Sequence, residues 1–215
     1  DGYDFPAISN DHLSSSHAIE AMRDTLINAE KPITIIALGP LTNLALLLNT
    51  YPETKQYIKD IILMGGSTGR GNVTPLAEFN FHCDPEAAHI VFNSGLSIMM
   101  IGLDLARQSL LTHDFLATFE NLNDTSAMLF QIFQHYREED FDKGLKLYDV
   151  FTMLYLLEPT SYEVKEANVQ IELQGSLTRG ASVVDFKSTR PNCNVVMASL
   201  NDNYKNVFLE ALRER

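Results

Sequence analysis

A glycine-rich stretch that follows an apolar run carries the polar side chains best suited to chemistry. The apolar run 61–64 ends at Gly65-Gly66, and the stretch continues to position 80 without a lysine, so it is not a phosphate-binding P-loop. It contains Asn72, Glu78 and Asn80, whose amide and carboxyl groups can hydrogen-bond vicinal hydroxyls. Glu78 and Asn80 would share one face of an extended segment. Polar loops of this kind are more often solvated turns than binding sites, so both interpretations stay open.

Apolar runs and helical patterns alternate on both sides of this stretch and must position it. The runs 33–38, 61–64 and 97–101 predict buried strands, and the segments between them show helical spacing or helix starts. Asp84-Pro85-Glu86 is one such start, with Asp as N-cap and Pro in the first turn. Such an alternation predicts parallel strands covered by helices. Ligands bind beyond the carboxyl ends of such strands, which is where the stretch lies.

The last third of the chain has a different pattern. Segments 164–173 and 181–186 alternate as antiparallel strands do, 195–197 predicts one more strand, and 202–213 predicts a closing helix. The first fourteen residues are rich in loop formers. We predict an α/β fold with a mostly parallel sheet flanked by helices and a small antiparallel part near the C-terminus. Residues 1–215 are expected to form a single domain.

Composition excludes several classes of function. Sixteen Lys and Arg residues against twenty-eight Asp and Glu give a net charge of −12, which disfavours nucleic acid or an anionic membrane surface as a partner. No apolar run approaches the roughly 20 residues that span a bilayer. Cys83 and Cys193 are far apart and form no CxxC pair, so neither a disulfide scaffold nor a cysteine zinc site is indicated. Reduced thiols favour a cytoplasmic location.

Several blocks of sequence carry a resemblance when they are taken together. They are LGPLTN at 38–43, MGG at 64–66, GNVTPLAEFN at 71–80, DPEAA at 84–88 and LYD at 147–149. In order and spacing these blocks resemble the inosine-uridine-preferring nucleoside hydrolase family, over nearly the whole chain. The resemblance implies the Rossmann-related nucleoside hydrolase fold. It also implies hydrolysis of the N-glycosidic bond of ribonucleosides to ribose and free base, a step of nucleoside catabolism and salvage.

The resemblance also assigns roles to individual residues. A calcium ion of the family chelates the ribose hydroxyls and a water, and hard cations of this kind take oxygen ligands. Asp149 matches a carboxylate ligand of that ion, and Leu38 matches the residue that supplies a backbone carbonyl. The positions that match ribose-binding groups are Asn72, Glu78 and Asn80, and Met64 matches an apolar residue of the sugar pocket. On local evidence alone, Asp149 would be a helix N-cap and Met64 would be a core residue. Glu78 and Asn80 would be side chains that hold the loop in place by hydrogen bonds.

Partners follow from the same resemblance. The expected substrate is a small ribonucleoside of the inosine or uridine type, with no nucleic acid and no membrane as partner. Family members are commonly dimers or tetramers, so we expect a homo-oligomer.

The chain departs from the family pattern in its carboxylates. The N-terminal aspartate cluster of the form DxDxxxDD, which supplies calcium ligands and the water-activating base, is absent from this sequence. Calcium prefers about six to eight oxygens, and neither Asp140-Phe141-Asp142 nor Asp202 lies in a matched block. We therefore expect this polypeptide to be the C-terminal part of a longer enzyme, without an N-terminal strand–helix portion and inactive by itself. Loss of that portion would expose a strand edge and apolar surface.

A second departure concerns the leaving group. Tyr148 occupies the position where many members have a histidine that is associated with protonating the leaving base. Tyrosine has an ordinary pKa near 10 and is poorly matched to proton donation at pH 7. His135 and Tyr136 are alternative donors. Two other functions also stay open: a non-catalytic ribose- or nucleoside-binding module, and a structural subunit that keeps the fold without a working site.

Overall fold

A computed structural model describes residues 17–137 and 144–213, and the strands in these ranges form one six-stranded sheet. The predicted N-terminal loop and Asp140-Phe141-Asp142 lie outside the described residues. The strands are β1 (Ile33–Ala37), β2 (Ile58–Met64), β3 (Ile98–Ile101), β4 (Tyr162–Ile171), β5 (Ser182–Asp185) and β6 (Cys193–Ser199). The order across the sheet is β1-β2-β3-β6-β4-β5. Strands β1, β2, β3 and β6 pair in parallel, and β4 is antiparallel to both β6 and β5.

Helices flank this sheet, and the predicted fold class is therefore confirmed. The α-helices in the first half are α1 (Ala18–Ile27), α2 (Thr42–Thr50), α3 (Phe79–Cys83), α4 (Pro85–Phe92) and α5 (Leu103–Gln108). Those in the second half are α6 (His113–Ala117), α7 (Asp124–Arg137), α8 (Val150–Leu157) and α9 (Asn203–Arg213). Short 3-10 helices occupy Pro52–Tyr57 and Pro159–Ser161. In these same described ranges, no helix is long and apolar enough to cross a membrane.

The central strands carry consecutive apolar residues, such as 61–64 of β2, because the sheet has a core on each face. In β2, Ile61 and Leu63 pack with the helices of the first half, whereas Ile62 packs with the helical elements of the second half. Successive side chains of a strand point to opposite faces, so a strand buried on both sides needs a continuous apolar run. Strand β1 lies at one edge of the sheet and is only half-buried along its length.

Two local features position the glycine-rich loop. The predicted start of α4 is confirmed: the Asp84 side chain caps the helix by accepting a hydrogen bond from the Ala87 N–H at 3.0 Å, and Pro85 is the first helical residue. Glu78 and Asn80 would share a face only in an extended segment, and this condition is not met because the short helix α3 begins at Phe79. Glu78 is the N-cap residue of that helix and binds its first N–H groups through its own carboxylate, which makes the helical conformation the favourable one.

Candidate active site

A cavity of about 500 Å³ lies at the carboxyl ends of β1 and β2, within the size range of small-molecule sites. Three separate parts of the chain border it: the residues after β1, the glycine-rich loop with its flanks, and the segment from α7 to the start of α8. The lining residues are Leu38, Gly39, Pro40, Met64, Asn72, Glu78, Phe79, Asn80, Tyr136, Tyr148 and Asp149. Every site residue that the sequence singled out by resemblance therefore borders this one cavity.

Asn80 ties the ends of β1 and β2 together. Its buried Nδ2 donates hydrogen bonds to the Met64 carbonyl at 3.0 Å and to the Leu38 carbonyl at 3.3 Å, and it also contacts the Met64 sulfur at 3.4 Å. These contacts use the amide nitrogen entirely. The amide oxygen is left as the group that can accept a hydrogen bond from a ligand.

Glu78 is 2% exposed, yet its carboxylate borders the cavity. Its Oε2 accepts from the Gly66 N–H at 2.9 Å and the Phe81 N–H at 3.2 Å, and its Oε1 accepts from the Asn80 N–H at 2.9 Å. A carboxylate offers about four acceptor positions, so one remains for a ligand hydroxyl. Burial has the largest effect on the pKa of Glu78 and raises it, the three N–H donors lower it, and Asp149 adds a smaller repulsive contribution that raises it. The net effect is a raised pKa.

Asn72 is held in a compact turn of the same loop. Its Oδ1 accepts a hydrogen bond from the Phe79 N–H at 2.9 Å, and its own N–H donates to the Ala77 carbonyl at 3.1 Å. The Nδ2 group of Asn72 is therefore the part of the side chain that can donate to a ligand oxygen. Gly71 permits this turn, because a β-carbon there would lie 2.5 Å from the backbone nitrogen and carbonyl carbon of Ala77.

Asp149 stands at the N-cap position of α8, but its side chain does not cap the helix. No cap hydrogen bond is formed, and the backbone of Asp149 is already helical. Asp149 is exposed, yet desolvation by the surrounding protein raises the pKa of its carboxyl group. The described lining residues include two carboxylates and neither lysine nor arginine, so the cavity favours a cation or hydroxyl groups over an anion.

Aromatic side chains form the rest of the wall. Tyr136, 73% exposed, and Tyr148 both border the cavity. His135, one of the two alternative proton donors, instead lines a separate surface cavity with Glu120 and Gln134. Phe79, 53% exposed, lines the site and was not singled out from the sequence. Its position in the sequence between Glu78 and Asn80 was the signal that could have identified Phe79 as a lining residue.

The described residues do not make a complete calcium site. Asp149 and the Leu38 carbonyl are the two candidate oxygen ligands, and the latter already accepts a hydrogen bond from Asn80. Calcium prefers six to eight oxygens. Within 17–137 and 144–213, no cluster of three or more His, Cys, Asp or Glu side chains could hold a metal ion.

With this geometry established, comparison with known proteins identifies the family. Residues 1–206 match the model of the family described as inosine-uridine preferring nucleoside hydrolase. The chain belongs to this family. Solved nucleoside hydrolases have the same fold: the chain is 28% identical to the purine-preferring ribonucleoside hydrolase from Gardnerella vaginalis, with a TM-score of 0.89 over 99% of this chain and 70% of the other. For the inosine-uridine preferring nucleoside hydrolase from Bacillus anthracis the identity is 25% and the TM-score 0.82, over 94% and 67% of the two chains.

Curated nucleoside hydrolases are more similar in sequence. The chain is 48% identical over 185 residues to the non-specific ribonucleoside hydrolase RihC of Escherichia coli (strain SMS-3-5 / SECEC). This match covers 86% of this chain and 60% of the relative. It is 45% identical over 204 residues to RihC of Shigella dysenteriae serotype 1, over 95% and 67% of the two chains. The matches thus span about 60–67% of the length of these relatives.

Proposed function

We propose that this chain takes part in the hydrolysis of ribonucleosides to ribose and free base. The observation that carries the proposal is the convergence of Met64, Asn72, Glu78, Asn80 and Asp149 on one cavity. These residues come from the end of β2, the glycine-rich loop, helix α3 and the start of α8. Membership of the nucleoside hydrolase family and the similarity to RihC proteins support the same reaction.

The hydrogen-bonding capacity left in the loop suits a ribose ring. Asn80 Oδ1 and the remaining acceptor position of Glu78 can each accept from a hydroxyl, and Asn72 Nδ2 can donate to one. A ribose hydroxyl is both donor and acceptor, so it can satisfy groups of both kinds. Met64 offers an apolar side chain beside them. Because hydrogen bonds among the loop residues already fix these side chains, little ordering is needed when the sugar binds.

The reaction places different demands on the two sides of the sugar. A water oxygen bonds to the anomeric carbon and the water releases one proton to the solvent, while the carbon–nitrogen bond to the base breaks and the base leaves with the bonding electron pair. The base takes up one proton from the protein, and the donor regains one from the solvent, so that protons balance. We propose that the Tyr148 hydroxyl gives that proton. The supporting observation is that Tyr148 borders the cavity immediately before Asp149, whereas His135 lines a different cavity. Tyr136 also borders the cavity, but only Tyr148 stands at the position that matches the family's histidine.

Calcium dependence is a further part of the proposal, drawn from the family resemblance. Asp149 and the Leu38 carbonyl are two oxygen donors among the described residues, and a working site needs several more ligands. We therefore expect residues 1–215 alone not to hydrolyse ribonucleosides. We propose that the protein acts as a cytoplasmic enzyme and works as a homo-oligomer.

One observation favours a second function, a ribose-binding module without catalysis. Hydrogen bonds within the described residues hold Glu78 and Asn80, which are proposed to bind hydroxyls, but these residues lack a complete metal cluster. Such a module would bind ribose without calcium and would leave nucleosides intact.

The proposed function is tested with the protein expressed from its full-length gene. Inosine and uridine are incubated with calcium or with a chelator, and base and ribose are quantified separately. We expect equimolar base and ribose, loss of both with the chelator, and recovery on adding calcium. Binding of ribose without any base release in calcium would support the module instead, and absence of both would refute the proposal.

Asn72→Ala provides the matched site variant, because it removes one hydroxyl-binding group from the loop. It is expected to raise KM about tenfold, in line with the loss of a hydrogen bond to a substrate. Asn93→Ala is the control, because Asn93 is an exposed C-cap residue at the end of α4 and does not border the cavity. Equal kinetics for the two variants would remove Asn72 from the site.

A further inference from the structure

Helix α5 lies behind the glycine-rich loop and holds it at its backbone. The Leu103 N–H at the start of α5 donates to the Gly66 carbonyl at 3.0 Å. A β-carbon on Gly102 would lie 2.8 Å from that same carbonyl oxygen, which is closer than real side chains approach. Glycine at position 102 therefore allows the helix and the loop to pack this closely.

Asp104 fixes the next part of the loop through both oxygens of its carboxylate. Its Oδ2 accepts from the Thr68 N–H, and its Oδ1 accepts from the Thr68 hydroxyl, each at 2.7 Å. From the other side, the Ser182 hydroxyl of β5 donates to the Ser67 carbonyl at 2.7 Å and accepts from the Ser67 N–H at 2.9 Å. Residues 67 and 68 are thus held between two separate elements.

Arg107 is three residues after Asp104, on the same face of α5, and it reaches the peptide groups next to Asn72. Its guanidinium donates to the Arg70 carbonyl and, at 3.2 Å, to the Gly71 carbonyl. The Gly71 carbonyl belongs to the peptide bond that leads into Asn72. The position of Asn72 at the cavity therefore depends on this arginine, although neither Arg107 nor Asp104 borders the cavity.

We infer that Asp104 and Arg107 are positioning residues for ribose binding, acting through the loop that carries Asn72. The inference rests on the proposed function only for the identity of the ligand. It goes beyond that function because it places two determinants of sugar affinity on a helix outside the site. Their effect should fall on the sugar side of the cavity and not on Tyr148, which belongs to the segment before α8.

The test uses Arg107→Met in the protein expressed from its full-length gene, with uridine or inosine as substrate. We expect kcat/KM to fall about tenfold, mostly through KM, and Arg107→Lys to recover part of the loss. If Arg107 acts through Asn72, the double variant with Asn72→Ala should lose little more than the worse single variant. The losses should multiply when Arg107→Met is combined with Tyr148→Phe. Arg190→Met is the control, because Arg190 precedes β6, whose parallel pairing with β3 puts this position at the amino ends of the parallel strands, opposite to the end that carries the cavity.

A second measurement does not need activity. Amide hydrogen exchange, read for peptides that cover 66–77, should be faster in Asp104→Ala and in Arg107→Met, with exchange elsewhere and the melting temperature nearly unchanged. If the wild-type protein hydrolyses no ribonucleoside, the proposed function fails, whereas faster exchange confined to the loop still supports the positioning role. Unchanged exchange in the loop, faster exchange throughout the chain, or multiplicative losses with Asn72→Ala would overturn the inference.

Discussion

Replacing Gly71 with alanine should displace the loop that carries Asn72. The added β-carbon would lie 2.5 Å from the Ala77 nitrogen and carbonyl carbon, where ordinary contact begins at 3.4 Å, so the turn must open by about 1 Å. The Ala77 carbonyl accepts hydrogen bonds from the N–H groups of Asn72, Val73 and Thr74 at 3.1, 3.2 and 3.4 Å, and these bonds would lengthen. A displacement of about 1 Å in a positioning group can reduce turnover about 100-fold, and strain of this kind costs about 1–3 kcal/mol of stability.

Gly69→Ala is a matched control two residues away in the same loop. A β-carbon on Gly69 would meet nothing within 4 Å, so this variant should keep kcat/KM within about twofold and be slightly stabilised by reduced chain entropy. The assay is base release from inosine and uridine, together with urea denaturation of each variant. Wild-type kinetics in Gly71→Ala, or equal losses in both variants, would refute the argument that this turn sets the position of Asn72.

Three further predictions concern the cavity itself. Asn80→Asp should lower the free energy of unfolding, measured by urea denaturation, by about 3 kcal/mol. The reason is that the Met64 and Leu38 carbonyls lose their hydrogen-bond donor and face a buried carboxylate. A loss of stability no greater than that of Asn93→Asp would contradict this prediction. Burial raises the pKa of Glu78 above 4.5, so the folded state keeps a proton that the unfolded state loses. The free energy of unfolding of the wild-type protein, compared with that of Glu78→Gln, should therefore fall as the pH rises from 4.5 through the raised pKa of Glu78. A difference between the two proteins that does not change with pH would contradict this prediction. Tyr148→Phe should lower turnover of inosine at least about tenfold and that of an activated aryl riboside less than about threefold, whereas equal losses would remove Tyr148 as the proton donor.

The sequence was most informative where a local pattern and the tertiary environment agree. The runs that became β2 and β3 could be predicted because central parallel strands are apolar on both faces. The start of α4 could be predicted because Asp84 and Pro85 have local roles at a helix N-terminus. Helix α5 was not predicted, because six residues are too few to show a helical period, and its side chains contact residues that are distant in sequence.

The order of the sheet depends on information that no local pattern carries. Strand β6 lies between β3 and β4, parallel to one and antiparallel to the other, although the alternation in 164–173 indicated only that antiparallel pairing occurs there. Similarly, α3 begins where an extended segment seemed possible, because the Glu78 carboxylate binds the first N–H groups of the helix. The candidate site residues that border the cavity could be named from the sequence through the family resemblance. The hydrogen bonds that saturate the Asn80 amide nitrogen and most of the Glu78 carboxylate could be seen only in the fold.

A structure of the protein expressed from its full-length gene, with a ribonucleoside or ribose bound, tests the central claim most directly. We predict that the hydroxyls of the sugar lie within about 3.2 Å of Asn72 Nδ2, Asn80 Oδ1 and the free acceptor position of Glu78, with Asp149 bordering the same pocket. A sugar bound elsewhere, or one turned so that its hydroxyls face away from these three side chains, would contradict the account.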